Sequence, residues 1–127
     1  MDLAENAITK VATVSGVDMQ TAGKTIIYTV PAGKTFYPTA IIIREPSASL
    51  AGGTDYDLGT GALCNTWRQA INLATLTTLA TDFMVIQGAD VTKYTDCAAA
   101  SAFGIYVNPG STVPATATID LFGFLAE

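Results

Sequence analysis

The stretch Thr25 to Glu45, TIIYTVPAGKTFYPTAIIIRE, decides the fold. Two runs rich in β-branched and aromatic residues flank the break Pro31-Ala32-Gly33-Lys34. Such side chains suit a pleated, half-buried surface, and Pro and Gly interrupt it, so the run reads as strand, turn, strand with no length left for a helix. The second strand, Phe36 to Glu45, places Tyr37, Thr39, Ile41 and Ile43 on one face and Phe36, Pro38, Ala40 and Ile42 on the other. Both faces are mostly apolar, the pattern of a strand inside a sandwich or beneath a partner. Pro38 withholds one ladder donor, which puts an edge or a bulge near the start of this strand.

Working outward, turn signals recur every ten residues or so. Ile8 to Val14 reads as a first strand and Ser15 to Gly23 as a turn, so residues 1–24 are expected to form an N-terminal arm or edge strand. Residues 25–127 form the sandwich, one domain overall. Glu45 to Gly61, EPSASLAGGTDYDLGTG, is glycine-rich and largely loop, with a short strand around Tyr56 to Leu58 and another near Ala62 to Asn65. Thr66 to Thr81 is two-sided: Trp67, Ile71 and Ala74 fit a helical face, while Trp67, Gln69, Ile71 and Leu73 fit strand alternation. The reading favours strand for its first half and leaves a short helix open for its second. Phe83 to Gln87, Ala102 to Asn108 and Ala115 to Leu125 are strands, with turns at Gly88 to Asp90 and Asn108 to Gly110. In the last strand Ala117, Ile119, Leu121 and Leu125 share one face, and Thr116, Thr118, Asp120, Phe122 and Phe124 the other. About eight short antiparallel strands close most economically as an all-β, jelly-roll-like two-sheet sandwich.

Half of the 127 residues are hydrophobic and only 13% are charged, against about 25% in typical soluble domains. Thr, Ser, Asn, Gly and Ala must therefore make up much of the surface, a neutral skin that suits packed, repeated assemblies more than a lone monomer. The net charge is −5, and the six basic residues stand singly along the chain. Phosphate binding needs clustered positive charge, so nucleic acid is not an expected partner. The opening MDLAENAITK carries acids where an export signal carries bases, and no apolar segment follows it. The longest purely aliphatic block, Ala40 to Ile43, is far short of the ~20 residues that cross a bilayer. The expectation is a chain made in the cytoplasm, with no membrane partner.

The motifs that resemble chemistry fail on their surroundings. Gly-Lys-Thr occurs at Gly23 to Thr25 and at Gly33 to Thr35, but Asp18 and Tyr28 stand where a phosphate loop needs its first glycine, and a β-branched run follows where it needs a helix. Asp55, Asp57 and Gly59 mimic the start of a calcium loop, yet its twelfth position is Thr66, not a bidentate glutamate. The chain has no histidine, which removes the usual general base and the Ser-His-Asp triad. No enzyme activity, metal or cofactor is expected. Cys64 and Cys97 are a candidate disulfide closing a loop of about thirty residues, worth roughly 3–4 kcal/mol. The alternative is two reduced thiols packed as small hydrophobes. Trp67 with Arg68 and Tyr56 is either a stacking platform for a sugar or protein partner, or core. Phe122 and Phe124 pose the same choice, with a subunit contact favoured for them.

The runs TVPAGKTFYPTAIIIR, GTGALCNTWRQAINL and TATIDLFGFL together resemble small structural proteins of tailed bacteriophages, in particular the β-sandwich decoration (cement) proteins of the capsid. The similarity covers most of the chain from about Thr25 to Glu127, and none of these motifs carries a catalytic or ligand-binding residue. The resemblance implies a virion protein on the capsid exterior, assembled in the host cytoplasm. It would bind the major capsid protein lattice as a homo-oligomer, usually a trimer, and stabilise the mature head. Under that expectation Arg44, Glu45, Tyr56, Trp67, Arg68, Phe122 and Phe124 are candidate interface residues. The arm Met1 to Lys10 and the loop Glu45 to Gly61 would touch the capsid or a neighbouring copy. The competing expectation is a carbohydrate- or receptor-binding sandwich of a phage tail or head fibre, stacking sugars on Trp67 and Tyr56.

Overall fold

In the computed structural model, which describes residues 8–77, 81–88 and 96–127, the run Thr25 to Glu45 folds as strand, turn and strand. The strands in chain order are β1 (Ile8–Asp18), β2 (Gly23–Thr29), β3 (Thr35–Arg44), β4 (Tyr56–Gly59), β5 (Arg68–Ile71), β6 (Phe83–Gln87), β7 (Ala102–Val107) and β8 (Thr116–Ala126). They form two four-stranded sheets, in the orders β1-β8-β3-β6 and β2-β7-β4-β5, and every pairing is antiparallel. The pairs β1·β8, β2·β7, β3·β6 and β4·β5 are nested, as in one long hairpin rolled up on itself. The β8·β3 and β7·β4 contacts close the roll, and this connectivity is that of a jelly roll.

The core lies between the sheets. Phe36, Ile41 and Ile43 of β3, Ile119 and Leu121 of β8, Tyr56 and Leu58 of β4, and Phe103 and Ile105 of β7 are all fully buried. Phe36 sits edge-on to both Tyr28 and Phe103, at 5.3 and 6.4 Å between ring centroids. Trp67 meets the other side of Phe103 at 5.9 Å. Rings at these angles add modest attraction to the area they bury.

Strand β3 resolves the puzzle of its two apolar faces. Its register against β8 slips between Pro38 and Ala40, so a bulge shifts the alternation by one. Phe36 points into the core before the bulge and Ile41 and Ile43 after it, whereas an uninterrupted strand would put Phe36 and Ile41 on opposite faces. Phe36 exchanges backbone bonds with Cys97, on the side of β3 away from β8. Pro38, two residues on, turns the same way, and β6 pairs only from Ala40 onward, so its missing donor breaks no ladder bond among the described residues. Across the pair, Gly123 leaves room for the Phe36 ring, with which a Cβ at that position would collide.

Four expectations change. Ser15 to Asp18 continues β1, because Gly16 at φ 69° absorbs a register slip between Val14 and Val17. β1 stands at one edge of its sheet, and β2 begins at Gly23 in the other. Residues 61–64 are a turn instead of a strand, with Gly61 and Cys64 both at positive φ. The strand half of Thr66 to Thr81 is β5, but Ala74 and Thr75 form a turn where a helix had been left open. The Glu45 to Gly61 loop is pinned down, with Leu50 fully buried and backbone bonds joining Leu50 to Leu76, Gly53 to Leu73 and Ala51 to Thr112. Residues 1–7 of the arm, 78–80 of the segment open to a helix and 89–90 of the expected turn lie outside the described residues.

Candidate interaction surface

Alternation along each strand sends half of its side chains to the outer face of the β1-β8-β3-β6 sheet, and the register lines them up in rows across it. Ile8, Phe124 and Tyr37 make the first row. Lys10, Phe122, Ala40 and Gln87 make the second, Thr13, Asp120, Ile42 and Val85 the third, and Thr118, Arg44 and Phe83 the fourth. Ile8, Tyr37, Phe83 and Val85 are exposed by 70, 44, 61 and 52%. Phe122 and Phe124 are half-buried, and the Phe124 ring leans on Tyr37 at 6.0 Å. The face is therefore apolar at the Ile8–Tyr37 end and along β6, with polar groups between.

Those polar groups form one cluster around Asp120, which is 5% exposed although it points away from the core. Its carboxylate accepts hydrogen bonds from Arg44 Nε at 2.8 Å and Thr13 Oγ1 at 2.8 Å. Arg44 also reaches Glu45 Oε1 at 2.9 Å. Burial opposes the charge on Asp120, but the bonds from Arg44 and Thr13 and the nearby Arg44 and Lys10 charges outweigh it and hold the carboxyl below its ordinary range. A buried carboxylate accepting two charge-assisted or hydroxyl bonds is rigid, so β1, β8 and β3 present this face as a fixed surface.

The other candidate residues separate from this surface. Tyr56 is fully buried and donates its hydroxyl to the Met19 carbonyl at 2.8 Å, and burial pushes its pKa up to about 12. Trp67 is 5% exposed and packs on Phe103. Neither ring offers a face to a sugar, so the proposed stacking platform is core. Arg68, from the opposite sheet, donates to the Gln87 carbonyl at 2.9 Å. Cys64 and Cys97 are free, buried thiols, and burial raises both, Cys97 to about 11. Asp57, part of the calcium-like run, accepts bonds from Ala70 N at 2.9 Å and Asn108 Nδ2 at 3.2 Å. Each lysine of the two Gly-Lys-Thr copies has a protein partner, Lys24 the Gly61 carbonyl and Lys34 Glu127.

Arg44, Glu45, Phe122 and Phe124 are thus brought together, while Tyr56, Trp67 and Arg68 are not. Sequence reasoning passed over Asp120, Thr13, Phe83 and Val85, and reached Ile8 only as part of the arm Met1 to Lys10. A lone acid within the apolar run TIDLFGFL was the available signal, because a strand keeps such a charge only where a partner on the next strand answers it.

No protein-family model matches the chain, and no curated protein is similar to it. Among solved structures, a chain of the cyanophage Pam1 capsid asymmetric unit superposes with a TM-score of 0.54 over 93% of this chain and 84% of that one, at 11% identity. The fold described above is therefore shared with a chain found in a phage capsid structure.

Proposed function

We propose that this protein is a non-catalytic structural component of a bacteriophage head, a decoration protein that binds the outer surface of the major capsid protein lattice. The observation that carries this reading is the outer face of the β1-β8-β3-β6 sheet. Its Ile8, Phe124, Tyr37 and Phe122 corner, stiffened by the Asp120 cluster, is a preformed apolar surface with few charges to desolvate. Exposed apolar patches rimmed by polar groups mark protein contacts. The shared fold with a chain of a cyanophage capsid unit supports the same reading.

In this role the protein acts by linkage. A ligand that binds the mature lattice and not its separated subunits shifts the equilibrium toward the intact shell. Copies joined in a small homo-oligomer would reinforce one another, since the second contact of each oligomer is intramolecular. The test is co-sedimentation of purified protein with mature, decoration-free capsids and with immature procapsids of its source phage. Saturable binding to the mature lattice is the expected result, and absence of binding to either particle overturns the reading.

A further inference from the structure

The four sheet edges are not alike. An edge strand presents unpaired backbone groups to any passing strand, and folded proteins normally protect it with charge, proline, a bulge or brevity. β1 carries Lys10 and two register slips. β2 carries Lys24 and a slip between Ile26 and Tyr28. β5 is four residues long, begins with Arg68 and holds Ala70 at φ 55°. β6, Phe83-Met84-Val85-Ile86-Gln87, has no charge, no proline and an unbroken register with β3. Among the described residues it pairs with β3 alone.

From this contrast we infer that β6 is a self-association edge, joining two copies of this chain as antiparallel strands about a two-fold axis at Val85. Gln87 turns its carbonyl to Arg68, which comes from the opposite sheet. By the two-residue repeat of a strand, Val85 and Phe83 turn their N–H and C=O groups the same way, outward. Centred on Val85, residue 83 faces 87 of the second copy, 84 faces 86 and 85 faces itself. Phe83 and Val85, 61 and 52% exposed, then gain cross-strand neighbours on the outer face. The charge pattern also fits a second copy. Residue 82 lies opposite residue 88, so Asp82 of each copy, whose carboxylate also accepts the Thr77 amide at 2.9 Å, comes to the side of the sheet where the other copy's Arg68 is held at Gln87, twice by symmetry. Arg68 does not block the ladder, because a carbonyl oxygen accepts two bonds.

Five residues a side bury far less than the ~1,200 Å² of a stable interface. The pairing is therefore weak in solution and filled where many copies are held close together. It uses a different edge from the Ile8–Tyr37 corner and does not depend on capsid binding.

The test is sedimentation velocity on the full chain from about 10 µM to about 1 mM, a range bracketing weak pairing, with amide exchange read by NMR at both ends. The expected result is a monomer–dimer equilibrium in which the Phe83 and Val85 amides become protected only at high concentration, while those of Met84 and Ile86, bonded to β3, are protected throughout. Val85→Lys, an exposed change that sets like charges opposite each other, should weaken the dimer roughly tenfold or more, and Tyr37→Lys should leave it unchanged. A monomer at every concentration overturns the inference. So does association with the Val85 amide still exchanging, or protection of that amide already at low concentration, which would mean that the chain covers its own edge. Capsid co-sedimentation of the Val85→Lys protein, retained or lost, is read separately, so failure here and failure of the capsid reading are distinguishable.

Discussion

Asp120 is the residue on which the outer face turns. Its folded-state pKa lies below the ordinary carboxylate value, so as pH falls the unfolded chain takes up the proton first. Its contribution is present in full above the unfolded value of about 3.9 and is lost as pH falls through the lower folded value. Asp120→Asn should cost about 1–3 kcal/mol at pH 7, the range for a hydrogen bond to a charged group with the partner left behind. The same change should shrink the loss of stability between neutral pH and acid below that value; equal losses in both proteins, read by urea unfolding, would remove Asp120 from the account. At Cys97 the sign is opposite in kind: burial raises the thiol to about 11, so about a thousandth of it is thiolate at pH 8. Cys64 is raised as well and is also buried. Both should resist a thiol reagent in the native protein and react at once in denaturant, and fast native labelling would contradict the packing described here.

At the scale of elements, β3 shows both what the sequence made legible and what it hid. Its existence, its ends to within a residue, and a bulge or edge at Pro38 follow from propensity and from the missing proline donor. The phase of its two faces does not, because a bulge changes the alternation by one without changing the composition of the strand. The same device hid the end of β1, where Gly16 reads as a turn residue but serves a bulge. Residues 61–64 failed for the converse reason, since apolar composition promised a strand while the positive φ at Gly61 and Cys64 turned the chain. Of the interface, Phe122 and Phe124 were legible from a face that changes from polar to aromatic. Tyr37 was not, because only the bulge decides that it points outward. Deleting Thr39 should therefore preserve cooperative folding, because Phe36 and Ile41 then stand four positions apart, on one face of an unbulged strand, and Pro38 and Ala40 meet Gly123 and Phe122 in regular register. Pro38→Thr restores a donor on a side where none of the described residues pairs, and should change stability by no more than about 0.5 kcal/mol. Thermal unfolding of the two proteins measures both outcomes.

At the scale of the whole molecule the jelly roll supplies a rigid plate, and the proposed work is done by what that plate displays. Ile8 and Tyr37 are 70 and 44% exposed, so replacing both with serine removes apolar surface from the corner of the sheet without opening a cavity in the core. Stability should stay within about 1 kcal/mol of the parent, as for surface substitutions away from special features. Binding to the mature capsid lattice should fall by roughly tenfold or more if the corner is the contact, since a few central apolar and aromatic side chains dominate most interfaces. The matched control is Ile26→Ser, on the other sheet, which is 50% exposed and should leave binding unchanged. Both variants are measured by co-sedimentation at a protein concentration near half-saturation, where a change in affinity is read directly as a change in occupancy. If Ile26→Ser releases the protein and the Ile8/Tyr37 double substitution does not, the lattice is held by the β2-β7-β4-β5 sheet, and the rows around Asp120 face solvent or another copy instead.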